Sequence, residues 1–267
     1  MKNFKDKVVW ITGASSGIGE ALVRLFAAKG AKLVLSSRRR ETLEQVQHSL
    51  GLTAENSLIV SLDLEKNQEG YEDEVNAVIQ HFGHLDILIN NGGVSQRSFF
   101  QETRPEVFRR IMEINFMGTV ALTRAALPAL MEQSESQIVA VSSVVGKYGT
   151  PVRTVYSASK HAVNGFFDAL RAEVWKQKVK VLIVCPGYIK TNISYNALTA
   201  DGSPQNYMDP GQASGLSAKK CAKQIVSAIK KRKREIYPAG AKELFGLYMK
   251  RFFPGIFSVF VKKINVR

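Results

Sequence analysis

The sequence predicts a single-domain α/β fold, a doubly wound parallel sheet with helices on both faces. Three observations carry that expectation. Short apolar runs rich in β-branched residues alternate with segments of helical periodicity along most of the chain. Most of those runs are apolar at consecutive positions, the pattern of strands buried on both sides. No repeat, low-complexity tract or Pro/Gly-rich linker divides the 267 residues, so 1–267 is read as one domain.

Taken in order, "KVVWIT" (7–12) is a first strand, followed at once by glycines and the helical pattern "IGEALVRLFAAKG" (18–30). "KLVLSS" (32–37) leads to a polar helix, "RETLEQVQHSL" (40–50), and "SLIVSLDL" (57–64) to a helix over 68–82. "LDILINN" (85–91) is a fourth strand. Thr103 and Glu106 have capping-box spacing and start a helical region running to about Met131. "QIVAVSS" (137–143), a helix holding "VYSASKHAV" (155–163) and "KVKVLIVCPG" (178–187) continue the alternation. In such sheets ligands bind beyond the C-terminal strand ends, and the motifs below fall there.

Composition narrows the function. Hydrophobic residues make up 45%, an ordinary globular share. Cys185 and Cys221 are too few for a disulfide framework and point to a reducing compartment. His48, His81, His84 and His161 show no metal-ligand spacing, so no metal is expected. The opening "MKNFKDKVVWITG" has no signal-peptide core, and no uninterrupted apolar stretch reaches the ~18 residues of a span. The expected location is cytoplasmic. Of the net charge of +14, +12 lies in residues 219–267, a statement about partners and not about fold.

"TGASSGIG" (12–19) joins the first strand to the first helix. Gly13, Gly17 and Gly19 allow a tight turn and close approach to a pyrophosphate, with Ser15, Ser16 and Ile18 beside it at a helix N-terminus. At the end of the second strand an acid would bind the ribose hydroxyls of NAD. Ser37 and Arg38 stand there instead, and arginine suits a 2′-phosphate, so NADP(H) is the expected cofactor. Tyr156 and Lys160 lie four residues apart and share a helix face. A cation beside a phenol favours the phenolate, making Tyr156 a candidate proton carrier near neutral pH.

Together with "NNGG" (90–93), "IN" (114–115), "VSSVVG" (141–146) and "PGYIKT" (186–191), these motifs resemble the short-chain dehydrogenase/reductase family along nearly the whole chain. The resemblance implies a Rossmann fold and a catalytic tetrad of Asn115, Ser143, Tyr156 and Lys160. It also implies that Asp63 and Leu64 seat the adenine, that Asn90 and Gly92 contact the cofactor, and that Pro186, Gly187, Ile189 and Thr191 meet the nicotinamide carboxamide. Asn115 would hold a water relaying protons to Lys160; taken alone, it reads as a hydrogen bonder at a helix kink. The family usually has NNAG where this chain has NNGG, a change expected to leave the backbone contact intact.

The implied activity is hydride transfer between NADP(H) and a carbonyl or secondary alcohol, with a lipophilic ketone or aldehyde (steroid-, retinoid- or acyl-like) as substrate. "NNGGVSQRS" also resembles a membrane-associated, lipophile-reducing branch. The polar stretch 192–216 corresponds to the family's substrate lid. The alternatives are a 3-oxoacyl thioester reductase, a non-catalytic dinucleotide sensor, and a basic nucleic-acid binder, which lacks any reading-head motif. "IKKRKRE" (229–235) reads as a helix end whose cations complement the dipole. The extension 240–267 mixes aromatic and aliphatic residues with Lys250, Arg251, Lys262 and Lys263. That pattern fits an interfacial helix pair on an anionic membrane, or an arm packing on the core or on a second subunit. A homodimer or homotetramer is the expected assembly, with no nucleic-acid partner.

Overall fold

A computed structural model describes residues 3–66 and 70–263. Among them, seven strands form one parallel sheet, and the alternation seen in the sequence is its wiring. The strands are β1 (Val8–Thr12), β2 (Lys32–Ser36), β3 (Ser57–Ile59), β4 (Ile87–Asn90), β5 (Ser136–Val141), β6 (Val179–Val184) and, after a two-stranded ribbon of β7 (Ile189–Lys190) and β8 (Leu216–Ser217), β9 (Glu235–Ile236). Their order is β3-β2-β1-β4-β5-β6-β9, every pairing parallel. The order reverses between β1 and β4, which opens a crevice at the C-terminal strand ends.

Successive residues of each strand point to opposite faces, and both faces are covered. Val9, Ile11, Leu33, Leu35 and Ile89 pack with α1 (Gly17–Ala27), α2 (Arg40–Ser49) and α8 (Ala218–Lys230). Val8, Trp10, Val34, Leu88 and Ile138 pack with α3 (Glu72–Phe82), α5 (Gly118–Met131) and α6 (Thr154–Glu173). This is a Rossmann-type α/β fold.

Three expectations need correcting. The third strand ends at Ile59, although the Val60 and Leu62 amides still donate to Leu35 and Ser37 carbonyls at 3.1 Å, so extended chain follows β2 as far as the crevice. The helix expected over 68–82 begins at Glu72; the start of that expectation lies outside the described residues. Thr103 does not cap a helix. Its hydroxyl contacts Ser98 Oγ at 2.6 Å and the Phe99 carbonyl at 2.7 Å, and α4 (Pro105–Met112) starts on Pro105, whose fixed φ suits the first helical position.

A π-helical turn, Glu113–Met117, joins α4 to α5. The run Pro105–Met131 has the length and composition of a membrane span, but half of its apolar window is buried, and Leu122, Ala126 and Leu130 pack on the sheet. The chain closes with α9 (Ala241–Phe252) and α10 (Pro254–Val261), past the short α7 (Pro210–Ala213).

Candidate active site

The turn after β1 requires its glycines. Gly13 and Gly17 sit at φ +63° and +60°, left-handed values that a Cβ makes costly. Ser16 is the N-cap of α1 and makes no side-chain cap bond, leaving first-turn N–H groups available to an anion. Thr12 holds the opposite wall: its hydroxyl oxygen accepts from the Asn91 and Gly92 amides, both at 2.9 Å. Asn91 Nδ2 donates to the Thr12 carbonyl, also at 2.9 Å.

Between these walls runs a cleft of about 660 Å³, lined by Gly13, Ser15, Ser16, Gly17, Ile18, Ser37, Arg38, Asp63, Leu64, Gly92 and Thr191. A smaller cavity of about 130 Å³ adjoins it, lined by Ser143, Tyr156, Lys160, Pro186, Gly187, Ile189 and Thr191. Ile18, Asn91, Gly93, Val94, Thr191 and Ile193 line both, so the two form one groove across the strand ends. Arg40 is paired with Glu44, whereas Arg38 and Arg39 have no ion-pair partner among the described residues and line the cleft.

Three predicted site residues stand behind the groove rather than in it. Asn90 is buried and turned away, with Nδ2 donating to Thr123 Oγ1 at 2.9 Å; its neighbour Asn91 takes the groove position. Gly19 touches no cleft, but a Cβ there would fall 2.1 Å from the Gly13 carbonyl oxygen, so its smallness lets α1 close on the turn. Asn115 lies in the π-helical turn. Its Oδ1 accepts from the Val94 amide at 2.8 Å, and its Nδ2 donates to the Val94 carbonyl and to Ser159 Oγ, both at 3.0 Å. A Cβ at Gly92, where the family carries alanine, would come within 2.7 Å of Leu64 Cδ1, so this chain packs Leu64 closer to that loop.

At the other end of the groove, α6 places Tyr156 and Lys160 on one buried face against the end of β5. Ser142 Oγ donates to the Lys160 carbonyl at 3.1 Å, and Asn164 Nδ2 to the Gly146 carbonyl at 2.7 Å, fixing the helix against the loop that carries Ser143. Lys160 Nζ donates to the Val141 carbonyl at 3.0 Å and lies 6.0 Å from the Tyr156 ring centroid. Burial pulls the Lys160 ammonium down to about 8.

The expectation that Lys160 pulls the Tyr156 phenol down towards neutral pH needs correcting: the phenol is raised, and Lys160 is not among the groups that act on it. Burial pushes the phenol above its ordinary value, and the groups opposing that rise are the Ser143 hydroxyl and the guanidiniums of Arg153 and Arg97. No local pattern in the sequence points to these two arginines. Arg97 Nε donates to Asp209 Oδ2 at 2.8 Å and its Nη2 pairs with the same oxygen; Arg153 Nη2 lies 3.8 Å from it. All three side chains are buried, and both arginines line the cavity beside Tyr156. Asp209 belongs to the stretch expected to be a lid, so that stretch is fastened to the groove wall. Gln212 Nε2 adds a second tie, to the Ile189 carbonyl.

Comparison with known proteins decides what this arrangement belongs to. The family model described as short chain dehydrogenase matches residues 7–201. This chain is a short-chain dehydrogenase/reductase. It is 41% identical over 259 residues to dehydrogenase/reductase SDR family member 7B of Bos taurus, covering 95% of this chain and 79% of that protein. Among solved structures, a short-chain dehydrogenase/reductase from Burkholderia phymatum in complex with NAD shares the fold at a TM-score of 0.83 and 24% identity, covering 100% of this chain and 98% of the other. One from Burkholderia cenocepacia in complex with NADP does so at 0.79 and 23%, covering 98% and 100%. The solved structures that share this fold thus include one in complex with NAD and one in complex with NADP.

Proposed function

We propose that this short-chain dehydrogenase/reductase uses NADP(H) to reduce a lipophilic ketone or aldehyde, or to oxidise the matching secondary alcohol. The observation that carries this reading is one continuous groove with arginine at one end and a buried Ser–Tyr–Lys group at the other. The residues fit such a cofactor. Gly13, Gly17 and the α1 N-terminus would hold the pyrophosphate, and Arg38 with Ser37 the 2′-phosphate. Asp63 and Leu64, which line the larger cleft, would flank the adenine, and Pro186, Gly187, Ile189 and Thr191, which line the adjoining cavity, would flank the nicotinamide. When bound, the cofactor supplies or takes the hydride.

The chain's own residues manage the proton and the geometry. Tyr156 gives its phenolic proton to the substrate oxygen as negative charge develops there. Ser143 donates to the same oxygen and orients the carbonyl, electrostatic help aimed at the forming alkoxide. Lys160 returns a proton to Tyr156; Asn115, held in the π-helical turn by Val94 and Ser159, borders Gly93 as Lys160 Nζ does, on the side from which that proton would be replaced. Val94, Val144, Val145, Tyr148, Tyr188 and Ile193 make the remaining cavity wall largely apolar, which favours a lipophilic substrate.

A carbonyl panel with NADPH oxidation as readout tests the proposal. Turnover of lipophilic ketones or aldehydes supports it. Tight NADPH binding with no turnover of any carbonyl would favour a dinucleotide sensor instead.

A further inference from the structure

The two C-terminal helices have two different faces. On the inner one, Phe257 is buried and meets the Tyr148 ring edge-on at 5.4 Å between centroids. Phe257, Tyr148 and the catalytic candidate Tyr156 belong to one apolar cluster, against which Leu247, Met249 and Val261 pack. Glu243 also turns inward: it lines the cavity and accepts from the Tyr188 amide at 3.2 Å. The inner face therefore does all the packing that attaches these helices to the body.

On the outer face, Phe245, Tyr248 and Phe252 follow the 3–4 spacing of one stripe on α9, and Ile256, Val259 and Phe260 that of one on α10. This is the spacing that buries a helix face in a folded chain. Here these six residues and Phe253 between the helices are 46–67% exposed. Lys242, Arg251, Lys262 and Lys263 are exposed in the same segment, Lys250 Nζ lies over the inner-face Phe257 ring at 6.0 Å, and the one acid of residues 240–263, Glu243, is occupied on the inner side.

We propose that the outer faces of α9 and α10 dock on an anionic membrane surface and admit a lipophilic carbonyl substrate to the cavity beside Tyr156. Charge decides for a lipid surface over a second copy of the chain. A two-fold contact through this patch would bring the four remaining cations of one copy close to the same four of the other. An anionic bilayer offers apolar depth for the aromatic stripes and negative headgroups for the cations at once. The substrate part of this inference rests on the proposed reductase activity; the docking part does not.

Vesicle sedimentation of the full chain tests it, with phosphatidylcholine alone or mixed with phosphatidylserine. The protein should sediment with the mixed vesicles at low salt and be released as ionic strength rises. Phe252→Ser/Phe260→Ser and, separately, Arg251→Glu/Lys262→Glu should each weaken partitioning by at least about tenfold. Both variants should keep the parent's turnover of a small water-soluble ketone. A parent that stays in the supernatant at low salt, or variants that sediment like the parent, would overturn the proposal. So would a parent dimer that Phe252→Ser/Phe260→Ser converts to monomer without any vesicle binding. Sedimentation needs no substrate and soluble-ketone turnover needs no vesicle, so failure of the docking and failure of the reductase reading are separable.

Discussion

Arg97 and Asp209 form a buried ion pair across 112 residues of chain, with side chains 7% and 4% exposed. It joins the loop after β4 to the stretch expected as a lid, which lines the cavity through Ile193 and Gln212. A second cation, Arg153, stands three residues before Tyr156 and shares the same carboxylate.

Neutralising that carboxylate should therefore have two separable effects. Asp209→Asn leaves two guanidiniums buried without their anion, a loss of about 3 kcal/mol visible as a lower melting temperature. It also leaves more uncompensated positive charge near Tyr156, which lowers the phenol's pKa. Reduction needs the protonated phenol, so its alkaline limb should move to lower pH in Asp209→Asn and to higher pH in Arg153→Met. An unchanged limb in both variants would show that the arginines act only on the stretch expected as a lid.

Lys160, the group proposed to return the proton, carries a stability cost for its burial. Its ammonium titrates at about 8 in the folded chain against 10.5 ordinarily, because burial penalises the charge. The unfolded chain thus binds the extra proton between those values, and stability on this account rises with pH across that window. Below pH 8 the full penalty is present, on the order of 3 kcal/mol. Lys160→Met should raise the melting temperature at pH 7, with the gain shrinking above pH 8, while turnover collapses. Scanning calorimetry across that range checks it, and a variant less stable than the parent at pH 7 would contradict it.

How much of this was legible in the sequence follows from where the information lies. Strand–helix alternation, both-face burial and the glycine turn are local patterns, and they read correctly. Tyr156 and Lys160 were legible because helical periodicity alone puts them on one face. Asn90 and Asn91 were not separable, because adjacent strand residues point to opposite sides and a dipeptide does not say which side holds the groove. The Arg97–Asp209 pair has no local trace, since only the tertiary fold brings the two together. Thr103 and Glu106 had the right spacing for a cap, but Thr103 is held by Ser98 and Phe99 instead. The tail was read as either a membrane face or a packing arm. The structure shows the packing arm on its inner side and leaves the outer side as the proposed membrane face.

Cofactor choice gives a prediction read by binding alone. Arg38 lines the cleft with no ion-pair partner among the described residues, where an acid would select NAD, so NADPH should bind more tightly than NADH. Ser37→Asp/Arg38→Ala should reverse that order, as followed by quenching of protein fluorescence. Equal affinities for the two cofactors in the parent would remove the role given to Arg38.

The most direct test of the central claim, NADP(H)-dependent reduction with Tyr156 as proton donor, compares parent and Tyr156→Phe on a carbonyl the parent reduces. The substitution keeps the ring in its cluster with Val144, Val145 and Tyr148 and removes only the hydroxyl. NADPH oxidation should fall by about 100-fold or more, with NADPH affinity unchanged. Turnover equal to the parent's would mean that another group carries the proton and that the account is wrong.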